Sequence, residues 1–191
     1  RPEKARQIII EKYPDLKAFP VITYTERGYL QPSKLALIVA EEIKRNLDIK
    51  ISIKLIPSSH LYWNELKTVK GNLFSYGWLA DYPDAHNFLD LLFYTGRENN
   101  GGEYSNPDFD SLINQAATIE NRNDRNNLYQ QAEALLIKDA AFIPIRFDNA
   151  YHLVKRHIDC YEPDGLGYIH LNRVRFKESV LDLQNAKSCF K

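Results

Sequence analysis

The chain has 191 residues, of which 44% are hydrophobic and 26% charged, with 25 basic residues balanced by 25 acidic ones. These are ordinary globular values, so disorder is not expected, and the length argues for one compact domain with room for an appendage. The lack of a basic surplus argues against a dedicated nucleic-acid binder, and no apolar run approaches the ~20 residues that span a bilayer.

Residues 4–12, KARQIIIEK, suit a short helix that Tyr13-Pro14-Asp15 ends, because the residue before a proline avoids the α region. Phe19 to Thr25 is β-branched and aromatic, which predicts a strand. Pro32 opens a helical pattern over KLALIVAEEIKRNL, with Leu35, Ile38, Val39, Glu42 and Ile43 at helical spacing. Ile49 to Ile56 alternates apolar and polar, a strand with one buried face. Ser58-Ser59 caps a helix over His60 to Lys70 that Gly71 stops. Leu73 to Leu79 is then a third strand. The order strand, helix, strand, helix, strand implies parallel pairing.

The next stretch is helical. Asn106-Pro107 starts one helix, with Phe109, Leu112, Ile113 and Ala116 on one face, and Asn123-Asp124 starts a longer one ending near Asp139. Ala141 to Phe147 is expected as a strand, at an edge or with a bulge because of Pro144, and Ala150 to Lys155 as another. Beyond Arg156, only Tyr168 to Phe176 has a strand-like composition.

The chain begins at Arg1 and contains no methionine, as expected of a processed or truncated piece of something longer. Cys160 and Cys189 have no zinc-like spacing; they bridge each other in an oxidising compartment or stand as two free thiols. Catalytic patterns are absent: there is no GxSxG, P-loop, HExxH, or GxGxxG after a strand, so no cofactor is expected. Asp84, His86 and Asp90 form the nearest thing to a metal cluster, against the reading of a solvated turn entering a helix.

A binding reading has more to work with. In open α/β sheets, ligands settle outside the carboxyl ends of strands. The sequence places Trp78 and Asp81 at such an end, an apolar wall beside a carboxylate with up to four acceptor sites for an ammonium or guanidinium. The alternative reading puts Trp78 in the core and Asp81 in a turn through Tyr82-Pro83.

The stretches GWLADYPDAHNFLDLLF, YSNPDFDSLINQA and NDRNNLYQQAEALLIKDAAFIPI, in that order, resemble the C-terminal lobe of extracellular solute-binding proteins of family five. That family supplies the oligopeptide- and dipeptide-binding components of ABC importers. The resemblance runs from about Lys4 to about Lys155. It implies an α/β lobe with a mixed, mostly parallel sheet flanked by helices, one half of a two-lobed type II periplasmic-binding-protein fold. Residues 1–155 would form the ligand-binding lobe, and 156–191 a return segment packing on an N-terminal lobe absent from this sequence.

The resemblance also implies site roles. Trp78 lines a side-chain pocket, Leu79 pairs through its backbone with a peptide, and Asp81 receives the peptide's α-ammonium. Trp63 corresponds to a pocket aromatic, and Lys67 or Lys70 to a basic residue that meets peptide carboxylates. Ala85 stands where many relatives carry proline. The partners implied are a peptide, the other lobe and a membrane permease, with no nucleic acid and no bond chemistry. The location implied is extracytoplasmic, in the periplasm or at the cell surface through a lipid anchor. Other readings of the same pattern are a nickel complex or sugar as ligand, a sensory or regulatory protein using this lobe, and a metal-dependent enzyme built on Asp84, His86 and Asp90.

Overall fold

Parallel pairing, expected from the strand and helix order, organises the first part of the chain. The computed structural model describes residues 1–15, 18–68 and 73–176. These fall into two compact units that divide between Gly77 and Trp78, inside the expected lobe of residues 1–155.

The first unit contains α1 (Pro2–Lys12), β1 (Ile22–Arg27), α2 (Lys34–Leu47), β2 (Ile51–Ile56), α3 (Ser59–Thr68) and β3 (Leu73–Phe74). The sheet order is β2-β1-β3, and both pairings are parallel. Pairing of Ile22 with Ile51 and of Tyr24 with Ile53 sets the register that turns Tyr24 and Ile51 inward against Ala36 of α2. The inward face of α2 is Ala36, Val39, Ala40 and Ile43, whereas Ile38, expected on that face, points to solvent. Full burial of the small Ala36 sets how closely the helix lies on the strands.

The helix α2 covers the KLALIVAEEIKRNL pattern read from the sequence, but Pro32 stands before it and not in its first turn. Ser33 is the N-cap, and its hydroxyl accepts from the Ala36 N–H at 3.1 Å. The cap is itself held by Glu26 at the end of β1. That buried carboxylate accepts from the Ser33 N–H at 2.7 Å and from the Ser33 hydroxyl at 2.6 Å, so strand end and helix start are fastened by one side chain. Ser58 caps α3 as expected, accepting from the Leu61 N–H at 3.2 Å.

The third strand is far shorter than the expected Leu73 to Leu79. Among the described residues only Leu73 and Phe74 pair with β1, and one further bond joins the Ser75 N–H to the Thr25 carbonyl at 3.0 Å. The Tyr62 hydroxyl then donates to the Ser75 carbonyl, meeting with a phenol the acceptor that another strand bond would need. Burial pushes the pKa of that phenol well above its ordinary value, with Tyr24, Glu26 and Tyr76 adding to the effect. It stays a donor throughout the physiological range.

The second unit is built on α4 (His86–Phe93), α5 (Pro107–Ala117) and α6 (Arg122–Lys138). Asn106 caps α5 as expected, accepting from the N–H groups of Asp108 and Phe109. The longer helix is capped by Asn121, two residues before the expected start, through the N–H groups of Asn123 and Asp124. Leu89, Phe109, Ile113, Ala116, Tyr129, Ala132 and Leu136 make one core, in which Phe109 is 0% exposed. The fully buried Ala116 and Ala132 leave room for α5 and α6 to approach closely.

Several expected strands are absent among the described residues. Residues 141–155 contain no strand, and Ile143, Ile145, Phe147, Tyr151 and Leu153 are exposed, Phe147 completely so. Their composition favours a strand, but a strand needs a partner edge, and Pro144 removes a ladder donor. The expected strand over 168–176 is broken into a 3-10 turn (Leu171–Arg173) and β5 (Arg175–Phe176), the latter antiparallel to β4 (Ile158–Asp159). Cys160 is disulfide-bonded, and Cys189 lies outside the described residues. No helix among the described residues is long and apolar enough to cross a membrane.

Burial separates two phenylalanines of the second unit. Phe109→Ala should destabilise the 191-residue chain by about 3–5 kcal/mol through lost transfer energy and a residual cavity. Phe147→Ala should shift stability by less than ~0.5 kcal/mol. Urea unfolding followed by circular dichroism compares the two.

Candidate functional site

The segment from Trp78 to Asn87 carries no strand, yet it is closely held. Trp78 Nε1 donates to Asn87 Oδ1 at 2.7 Å, and the Asp81 backbone N–H donates to the same oxygen at 3.2 Å. Asn87 Nδ2 donates to Asp81 Oδ2 at 3.3 Å. Asn87 sits on the first turn of α4 and is 0% exposed. One buried amide thus brings the indole and the carboxylate together, although neither stands at the end of β3. Asp81 is exposed, and so is Leu79, at 72%.

Asp84 anchors the turn that places Asn87. Its Oδ1 accepts from the His86 N–H at 3.0 Å, capping α4 in place of Ala85, whose side chain has no polar atom to offer. Its Oδ2 accepts from Arg125 Nη2 of α6 at 2.9 Å, and Tyr129 adds a hydrogen bond. Partial burial pushes the Asp84 carboxyl upward. The His86 N–H, Arg125 and Tyr129 outweigh that effect and hold it below the ordinary carboxylate range. Burial, with Asp84 beside it, raises Tyr129 to about 12.

The three residues considered for a metal are committed elsewhere. Asp84 pairs with Arg125, and the buried Asp90 pairs with Arg97 at 2.8 Å. His86 Nδ1 lies 2.7 Å from the Tyr82 hydroxyl, with Nε2 3.9 Å from Asp90. No group of three potential ligands converges among the described residues.

Trp63 belongs to the first unit. It lies on α3, half-exposed, with its ring edge-on to Tyr62 (5.7 Å between centroids) and to Tyr76 (5.1 Å). These rings sit at the carboxyl end of β3, where the ligand-binding edge of a parallel sheet is expected. Lys67 is exposed on α3, and Lys70 lies outside the described residues. Sequence reasoning misses Asn87 and the aromatics flanking Trp63. An Asn six residues after an Asp, on the first turn of a helix, is the only trace that the clasp leaves in the sequence.

No protein-family profile matches the chain. The dipeptide-binding protein DppE of Bacillus subtilis is 29% identical over 88% of this chain and 31% of its own length. The periplasmic oligopeptide-binding protein OppA of Salmonella typhimurium is 31% identical over 67% of this chain and 23% of its own. The structure of Haemophilus influenzae OppA in complex with RPPGFSPFR superposes with a TM-score of 0.76 at 25% identity, covering 92% of this chain and 34% of that one.

The chain belongs to the family-five solute-binding proteins. It spans about a third or less of the length of these relatives. The three-stranded parallel sheet flanked by helices agrees with the α/β lobe that the resemblance implied. These relatives are binding proteins, and one of them is named as periplasmic.

The Asp84 pair has a pH signature. A carboxylate held below its unfolded value adds stability that is present above that value and lost as the pH falls through the folded one. Asp84→Asn should therefore cost about 1.5–3 kcal/mol at pH 7. At pH 3 the gap between variant and wild type should narrow. Urea midpoints at the two pH values measure it.

Proposed function

We propose that this chain captures peptides, as the C-terminal lobe of an extracytoplasmic solute-binding protein that hands its ligand to the permease of an ABC importer. The observation that carries this reading is the clasp at Asn87, which sets an exposed carboxylate beside an indole on a braced turn. An ammonium suits that carboxylate, and an apolar side chain suits the indole face. Relatives named as dipeptide- and oligopeptide-binding proteins support the ligand class.

In this reading Asp81 meets the peptide's α-ammonium, Trp78 walls a side-chain pocket, and the exposed Leu79 offers its backbone to the peptide. Trp63, with Tyr76, walls a second pocket, and Lys70 serves a peptide carboxylate. The protein makes and breaks no bonds. It works by closing on the ligand, which shifts an open–closed population. An N-terminal lobe supplies the remaining contacts and gives residues 156–191 their packing surface. It also accounts for the exposed run at Ile143, Ile145, Phe147, Tyr151 and Leu153, whose alternation suits pairing with strands from elsewhere in the complete protein. A relative named as periplasmic supports a location outside the cytoplasm.

Two outcomes test the reading. Calorimetry of the complete protein with trialanine and N-acetyl-trialanine should show that acetylation weakens binding by about two to three powers of ten, typical of truncating a desolvated charge pair. Asp81→Ala should weaken trialanine similarly, and the two changes together should cost far less than their sum. Equal affinity for the free and acetylated peptides would remove the peptide-terminus reading. The 191-residue chain alone should bind trialanine poorly, because it encloses only part of the ligand. Sub-micromolar binding by this chain alone would contradict the two-lobed site.

A further inference from the structure

The side chain of Asn87 has only one way to satisfy its neighbours. The indole N–H of Trp78 and the backbone N–H of Asp81 are donors only, so the atom facing both must be the amide oxygen. With the oxygen fixed, the NH2 group must face Asp81 Oδ2 and donate to it. The amide is fully buried and cannot exchange these partners for water. Its backbone is fixed as well, since the Asn87 N–H donates to the Asp84 carbonyl at 3.1 Å and Asp84 is tied to Arg125.

Asp81 Oδ2 is therefore turned inward, and among the described residues no donor meets Oδ1. From this geometry we infer that Asn87 is a positioning residue for ammonium recognition: its amide aims the Asp81 carboxylate, presenting one oxygen to the ligand while holding the other. The inference rests on the proposed pairing of Asp81 with a peptide α-ammonium. It adds a residue that touches no ligand, and it ties the carboxylate's direction to the Trp78 ring through a shared acceptor. Other residue types fail on chemistry. Aspartate would set a second carboxylate about 3 Å from the first, where like charges disfavour each other. Leucine of similar size would leave the indole N–H and the Asp81 N–H without their acceptor.

The test uses the complete protein and the ratio of its affinities for trialanine and N-acetyl-trialanine, taken on one preparation so that any inactive fraction cancels. Asn87→Leu and Asn87→Ala should each lower that ratio by about tenfold to a hundredfold, the range for losing a hydrogen bond to a charged group. They should do so mainly by weakening trialanine. Leu89→Ala, a core truncation on the same helix, should leave the ratio at its wild-type value even where it lowers thermal stability. In an Asp81→Ala background, Asn87→Leu should change the ratio no further. If Asp81→Ala collapses the ratio and both Asn87 variants keep it, Asn87 is structural only and the inference falls, leaving the ammonium reading intact. If the wild-type protein shows no preference for the free peptide, the ammonium reading falls first and takes this inference with it.

Discussion

A buried amide must find partners for its oxygen and its nitrogen, and the path of the chain from Trp78 to Phe88 follows from that requirement. Asn87 has no water to fall back on, so the backbone of Asp81, the ring of Trp78 and a carboxylate oxygen all come to it. The turn has little regular structure of its own, and its order derives from side chains. Asp84 supplies the other fixed point by capping α4 while paired to Arg125 on α6. Two polar residues three apart, one fully buried and one half-buried, thereby convert an irregular loop into a defined surface.

The first unit reaches a comparable result by another route. There the parallel ladder does the positioning, because in βαβ connections strand ends and the following helix starts lie on one edge of the sheet. Glu26 fastens β1 to α2 at that edge, and Arg27 donates to the Ser59 hydroxyl at the start of α3 at 2.8 Å. The ring group of Tyr62, Trp63, Phe74 and Tyr76 gathers where β3 ends. The hydroxyl of one of them decides how long β3 is. An aromatic cluster and a strand terminus are the same feature seen from two sides.

Much of this is legible in the sequence where the signals are local. Periodicity predicts α2, β2, α5 and α6, the proline at position 14 marks the end of α1, and the caps at Ser58 and Asn106 follow from residue type alone. Expectation and structure part where a distant residue decides the outcome. The run from Leu73 to Leu79 has strand composition, but a phenol 13 residues earlier takes the Ser75 carbonyl. Residues 141–155 have strand composition too, and propensity cannot supply a pairing edge. Ile38 faces outward because Ala36, Val39, Ala40 and Ile43 form the buried stripe of α2, and at 3.6 residues per turn position 38 falls on the opposite side of the helix. Trp78 and Asp81 do come together, but Asn87 gathers them and not a strand end, and no local pattern announces the burial of that amide. Family resemblance points to the same two residues without the amide between them.

The chain has two tryptophans, and only Trp78 hydrogen-bonds its ring nitrogen to the amide that also holds Asp81. Indole emission responds to the polarity and hydrogen bonding of its surroundings. Whatever displaces or neutralises the carboxylate acts on Asn87 Nδ2, and through the same rigid amide on the oxygen that the indole N–H meets. The chromophore is therefore wired to the charge by a single planar group. Trp63, half-exposed, lies among tyrosines of the first unit. The polypeptide thus contains an optical gauge of the Trp78–Asn87 turn, made from the residues that shape it.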